Sequence, residues 1–234
     1  MAAYVLIHGA WFGAWCWNST KALLERAGHQ VIAIDLPGHG DDQTPVTEIT
    51  LDMLVDRVGQ ILAAQIEPAI LVGHSMGGIV LSQTAEQYPA KIERLVYVAA
   101  YLLQNGESLL QVSTADADSS IGPYLLPDPE KGQIGIRPEA LKEIFLHDCP
   151  EPIVAEAEAR LRPDLIVPQT TPLRLTAANF GRVPRTYITT KLDRVVSPSL
   201  QKRMFTALPC NPVLEIETGH CPFASVPDKL VALL

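Results

Sequence analysis

The stretch Pro68-Ala69-Ile70-Leu71-Val72-Gly73-His74-Ser75-Met76-Gly77-Gly78 constrains the fold of this chain more than any other. It reads as a buried strand, a sharp turn and the start of a helix, with Ser75 at the apex and Pro89 closing the helix. A residue at such a turn takes a strained backbone conformation. Side chains at the flanking positions would collide with the neighbouring strand and helix, and Gly73 and Gly77 remove them. Gly73-His74-Ser75-Met76-Gly77 fits the pattern G-x-S-x-G, which holds a serine hydroxyl up at a helix N-terminus, where backbone N–H groups can stabilise an anion. The pentapeptide alone arises often by chance; its strand-turn-helix setting raises it.

The rest of the chain supplies a sheet for that strand. Residues 4–7 read as a first short strand, followed by a Gly- and Trp-rich loop, His8 to Trp17. A helix is expected from Ser19 or Thr20, either of which can cap it, to Ala27, with Gly28 as its stop. Residues 30–34 form a second strand that empties into Asp35-Leu36-Pro37-Gly38-His39-Gly40. Leu51, Leu54, Val55, Val58, Ile61 and Leu62 recur at helical spacing, so residues 50–66 read as an amphipathic helix capped by Thr50. Residues 95–98 are another strand. This alternation predicts parallel strands with crossover helices on both faces.

The pattern breaks at residues 101–180, which hold nine of the nineteen prolines and little strand signal. Two short helices are expected there, 138–145 and 152–161, and the segment carries its own apolar residues to bury. It reads as an insertion dividing a core made of residues 1–100 and 181–234. Alternation resumes with a strand at 185–189, a helix capped by Ser197 with Pro198 in its first turn, a strand at 213–216 and a final helix over 227–234.

A net charge of −8 and a pI near 5.2 exclude the basic stripe that nucleic acid or an anionic membrane surface requires. No stretch approaches the roughly 20 apolar residues that span a bilayer. The N-terminus lacks a basic region and reads as a strand, not a signal peptide. Cys16, Cys149, Cys210 and Cys221 are widely spaced, as expected of reduced thiols in a cytoplasmic protein. No Walker motif and no G-x-G-x-x-G occurs, so no nucleotide cofactor is implied. The run Phe145 to Cys149 does not read as a metal site, because adjacent residues do not converge on one ion.

Serine needs a base within reach, and the base needs an orienting acid. His8, His39 and His74 sit in tight turns, His29 at a helix–strand turn and His147 in the insertion. His220 differs, because it follows the last strand, where a parallel sheet collects its ligand loops. Asp193 also follows a strand and completes the chain order Ser75, Asp193, His220. The bland alternatives are a turn aspartate and a satisfied surface histidine. Oxyanion donors are expected at the N–H of Met76 and of Ala10, with Gly9 letting the first loop approach. Trp11, Phe12, Tyr101, Phe145, His147 and Phe223, with Gly9, are the expected substrate contacts; Trp15 and Trp17 are expected in the core.

The run His8-Gly9-Ala10-Trp11-Phe12-Gly13-Ala14-Trp15-Cys16-Trp17, the Asp35-to-Gly40 turn, Gly73-His74-Ser75-Met76-Gly77 and Gly219-His220 together resemble the α/β-hydrolase superfamily. More narrowly they resemble its branch of plant methylesterases, hydroxynitrile lyases and related bacterial esterases. The resemblance is specific in residues 1–100 and 185–234 and loose in the insertion. It implies a mostly parallel central sheet with helices on both faces and a small, mainly helical cap over the site. It implies a cofactor-free serine hydrolase whose partner is a small hydrophobic or aromatic carboxylic ester, cleaved through an acyl-enzyme. Lyases of this branch typically carry threonine after the first-loop histidine and lysine after the catalytic histidine. Gly9 and Cys221 stand there, which favours hydrolysis. An amide, carbamate or lactone hydrolase, a lyase and a receptor-like ligand binder are the alternatives, and a homodimer is left open.

Overall fold

The computed structural model describes residues 1–234, the side chain of Thr47 excepted. Strand β1 (Ala3–Ile7) leads through a 3-10 turn (Ala14–Trp17) into α1 (Asn18–Arg26), then β2 (Gln30–Ile34), α2 (Leu51–Ala64), β3 (Ala69–His74), α3 (Gly77–Gln87) and β4 (Ile92–Val98). After the insertion come β8 (Arg185–Thr190), α7 (Pro198–Ala207), β9 (Val213–Ile216) and two short helices, α8 (Pro222–Ser225) and α9 (Pro227–Val231). The six strands form one parallel sheet in the order β2-β1-β3-β4-β8-β9. Every residue of β3 is buried, which is why its sequence is a continuous apolar run without alternation. The strand order reverses between β1 and β3, and at such a switch point the loops at the strand C-termini diverge and leave a crevice.

Local chemistry sets most element ends. Thr50 accepts from the Met53 N–H and Ser197 from the Leu200 N–H, each satisfying a first-turn donor. Gly28 turns the chain after α1 at φ +88°. Ser19 and Thr20 do not cap α1: the helix grows directly out of the 3-10 turn, Trp17 precedes it without a side-chain cap, and Thr20 is buried. The terminal helix is two pieces because Pro227 starts a new first turn after Val226. Trp17 is fully buried as expected, whereas Trp15 is only partly buried, with Arg160 lying 5.7 Å over its ring.

Between β4 and β8 the chain leaves the central sheet. It holds α4 (Leu109–Thr114), a π-helical turn (Leu141–Phe145), α5 (Glu151–Arg160) and α6 (Ile166–Thr170), with irregular chain between them, so it is less helical than expected. It also holds a small antiparallel sheet, β5 (Leu125–Asp128), β6 (Gln133–Ile136) and β7 (Asp164–Leu165), that the sequence reading did not anticipate. Strands of two to four residues, one containing Pro127, are too short to establish a period of two. Among the described residues, no helix is long and apolar enough to cross a membrane.

Candidate active site

Ser75 sits between β3 and α3 at φ +52°, a conformation that non-glycine residues adopt under constraint. Its carbonyl accepts from the N–H groups of Gly78 and Tyr101, both at 3.0 Å, so the turn is bonded to its own helix and to the chain after β4. The flanking glycines are demanded by space. A Cβ at Gly73 would overlap Leu81 Cδ1, and one at Gly77 would lie 2.8 Å from the His8 carbonyl oxygen and 2.9 Å from that of Ile7. Gly77→Ala is therefore expected to destabilise the fold by about 1–3 kcal/mol, since the obstacle is backbone at the end of β1. Urea unfolding checks this; an unchanged midpoint would mean that the β1 end yields freely.

Asp193 and His220 meet beyond β8 and β9. His220 Nδ1 lies 2.8 Å from Asp193 Oδ2, and both side chains are fully buried. A carboxylate that accepts on every side assigns the Nδ1 proton to His220. Asp193 Oδ1 accepts from Val195 N–H (2.8 Å) and Val196 N–H (3.0 Å), while Oδ2 also accepts from Thr190 Oγ1 (2.8 Å) and Gln201 Nε2 (3.1 Å). Gln201 holds this arrangement from α7: its Oε1 accepts from the Thr189 hydroxyl and the Thr190 N–H. Nothing in the sequence marks Gln201 or Thr190, because a glutamine in an amphipathic helix reads as solvent-facing.

His220 Nε2 is buried and makes no hydrogen bond among the described residues. The backbone that carries it is tied down: its carbonyl accepts from His74 Nε2 at 2.9 Å. Burial, with the His220 ring 4.5 Å away, holds His74 well below the usual histidine range, so His74 is a neutral support. The insertion adds two latches. His147 Nε2 donates to the Leu192 carbonyl at 3.0 Å, beside Asp193, and Asp148 Oδ2 accepts from the Gly219 N–H at 2.8 Å, beside His220.

Ser75 opens into a pocket. Ala10, Trp11 and Met76 from the core share its wall with Tyr101, Leu109, Leu110, Ile121, Leu125 and Ile134 from the insertion, with Val195, Ser113 and Gln169 completing it. No lysine or arginine lines it. Neither the Ala10 N–H nor the Met76 N–H donates to any acceptor among the described residues. The Gly9–Ala10 peptide is oriented by His8, whose Nδ1 lies 2.8 Å from the Gly9 carbonyl and whose Nε2 accepts from the Leu36 N–H. In a trans peptide the N–H then points opposite to that carbonyl.

The other expected substrate contacts do not line this pocket. Phe12 and Phe223 line a separate pocket with Trp15 and Leu146. Both pack edge-on against His74, in an aromatic cluster that includes Trp15 and Trp17. Trp11 stands at φ +67°, and this turn separates its side chain from that of Phe12. Phe145 is buried against His220 at 5.5 Å between ring centroids, His147 is spent on Leu192, and Gly9 lies beneath the turn, where a Cβ would come within 2.9 Å of Ser75 Cβ. Among the described residues, no three His, Cys, Asp or Glu side chains are grouped to hold a metal ion.

Residues 4–233 match the model of the alpha/beta hydrolase family. The chain belongs to this family. It is 34% identical over 243 residues to a protein of Arabidopsis thaliana named "Putative methylesterase 11, chloroplastic", covering 99% of this chain and 62% of that one. It is also 34% identical over 246 residues to methylesterase 17 of Arabidopsis thaliana, covering 99% of this chain and 89% of that one. The crystal structure of polyneuridine aldehyde esterase superposes with a TM-score of 0.89 at 25% identity, covering 100% of this chain and 97% of that one. The chain thus spans under two thirds of the first relative's length and most of the second's. Within this alpha/beta hydrolase, Ser75, Asp193 and His220 all follow C-terminal ends of parallel strands, where an open α/β sheet binds its ligands.

Proposed function

We propose that this alpha/beta hydrolase is a cofactor-free serine esterase for small, uncharged carboxylic esters with a hydrophobic or aromatic group. The observation that carries the reading is His220, pinned through Nδ1 to a buried carboxylate and left with a buried, unbonded Nε2. Ser75 Oγ attacks the acyl carbon and its proton passes to His220 Nε2, while Asp193 stabilises the resulting imidazolium. The Ala10 and Met76 N–H groups receive the oxyanion. Collapse of the tetrahedral intermediate expels the alcohol, which takes the proton from His220. Water then attacks the acyl-enzyme with His220 as base, and the second tetrahedral intermediate releases the acid as His220 returns the proton to Ser75 Oγ.

The relatives named methylesterases make methyl esters the first substrates to test, and the apolar wall supports an aryl or alkyl acyl group. Cys221 argues against the lyase alternative: burial pushes its thiol well above the usual range, so no charge of either sign stands beside His220 there. Four free cysteines fit a reducing compartment such as the cytoplasm. The test is labelling by an organophosphorus fluoride, a panel of methyl and aryl esters measured alongside. One adduct per chain on Ser75, with loss of all hydrolysis, is expected. An adduct at another residue, or hydrolysis persisting after complete labelling of Ser75, overturns the reading.

A further inference from the structure

We propose that Asp164 and His39, a buried ion pair in contact with the first loop, are positioning residues that set the oxyanion donor at Ala10. The proposal rests on the esterase reading above. Asp164 is fully buried on β7 of the insertion and His39 is buried in the loop after β2, with Nε2 3.2 Å from Asp164 Oδ2. His39 Nδ1 lies 2.9 Å from the Pro37 carbonyl. A carbonyl and a carboxylate only accept, so both ring nitrogens carry protons and His39 is an imidazolium. Asp164 receives three further donors: Trp11 N–H on Oδ2 at 2.9 Å, and Leu165 N–H and Gln169 Nε2 on Oδ1 at 2.6 and 3.0 Å.

The bond to Trp11 gives the pair its consequence. Trp11 follows Ala10 and stands at φ +67°. Each of its polar groups ends on the insertion: N–H on Asp164, the carbonyl accepting from Arg162 N–H at 3.2 Å, and indole Nε1 donating to the Ile134 carbonyl at 2.8 Å. The peptide after Ala10 is thus held by Asp164 and the peptide before it by His8, whose ring lies 5.1 Å from His39. Ala10, which lines the Ser75 cavity, is clamped on both sides. Simple stability does not account for such a pair, because burying two charges offsets most of their attraction and apolar replacements are often neutral or stabilising. Placement of a transition-state donor does account for it, since small displacements there act on kcat.

Asp164→Asn keeps an oxygen for Trp11 but removes the charge, and is expected to fold and lose about tenfold in kcat with KM within about threefold. Asp164→Leu removes the acceptor and is expected to lose roughly a hundredfold or more in kcat, with KM again little changed. The assay uses the best ester of the panel, with Ser75→Ala run alongside and each variant's unfolding midpoint measured. Wild-type kcat in Asp164→Asn, or a loss confined to KM in either folded variant, overturns the proposal. Should Asp164→Leu not fold, Asp164→Asn alone decides. If Ser75→Ala retains full activity the esterase reading fails instead, so the two failures are distinguishable.

Discussion

Alanine at position 75 is expected to lower kcat for ester hydrolysis about a million-fold, leaving only the rate that oxyanion stabilisation and binding supply without a nucleophile. The fold should be unaffected. Ser75 Oγ makes no hydrogen bond among the described residues, and the bonds that hold the turn run through its backbone carbonyl. Alanine meets the same resistance to φ +52° as serine does, so the strain at the apex is unchanged. The measurement is steady-state hydrolysis of a methyl or aryl ester together with thermal unfolding. A residual rate above about one thousandth of wild type, with the fold intact, would remove Ser75 from the role of nucleophile.

Asp193→Asn is expected to cost about ten-thousandfold in kcat, through the tautomer of His220 and not through distance. Five donors converge on the carboxylate: Val195 and Val196 N–H on one oxygen, and Thr190, Gln201 and His220 on the other. An amide has one oxygen to offer. If that oxygen stays with the two backbone N–H groups, the NH2 faces three donors. His220 then relieves the clash by turning Nδ1 into an acceptor, which moves its proton to Nε2, and Nε2 can no longer take a proton from Ser75. An Asp193→Asn enzyme within about tenfold of wild type at neutral pH would assign the orienting role to another group.

Much of this site was legible because it depends on short-range chemistry. The elbow announces itself through Gly73 and Gly77, whose absent side chains are required by Leu81 and by the carbonyls of Ile7 and His8. Thr50, Ser197 and Gly28 mark their helix ends for equally local reasons. The pocket wall was less legible. Trp11 and Tyr101 reach the pocket, but Phe12 and Phe223, equally aromatic and equally close in sequence to the first loop and to His220, pack against His74 and line a different pocket. The direction of a side chain in an irregular loop follows from backbone dihedrals such as Trp11 φ +67°, which no periodicity encodes.

The sequence by itself determined the parallel core, the apex serine and the chain order in which Ser75, Asp193 and His220 follow their strands. Strand runs, helix caps and glycine turns each depend on neighbours a few residues away, so they can be read along the chain. The tertiary structure alone decided what surrounds those residues. Gln201 reaches Asp193 across eight positions, Asp148 reaches Gly219 across 71, and Asp164 reaches Trp11 across 153. Such partners are ordinary polar residues until folding buries them, and only in a low-dielectric interior does each hydrogen bond become obligatory. The turn at Ser75 is a local structure, and Asp164 on the insertion, which bonds the first loop at Trp11, is brought to it by the fold.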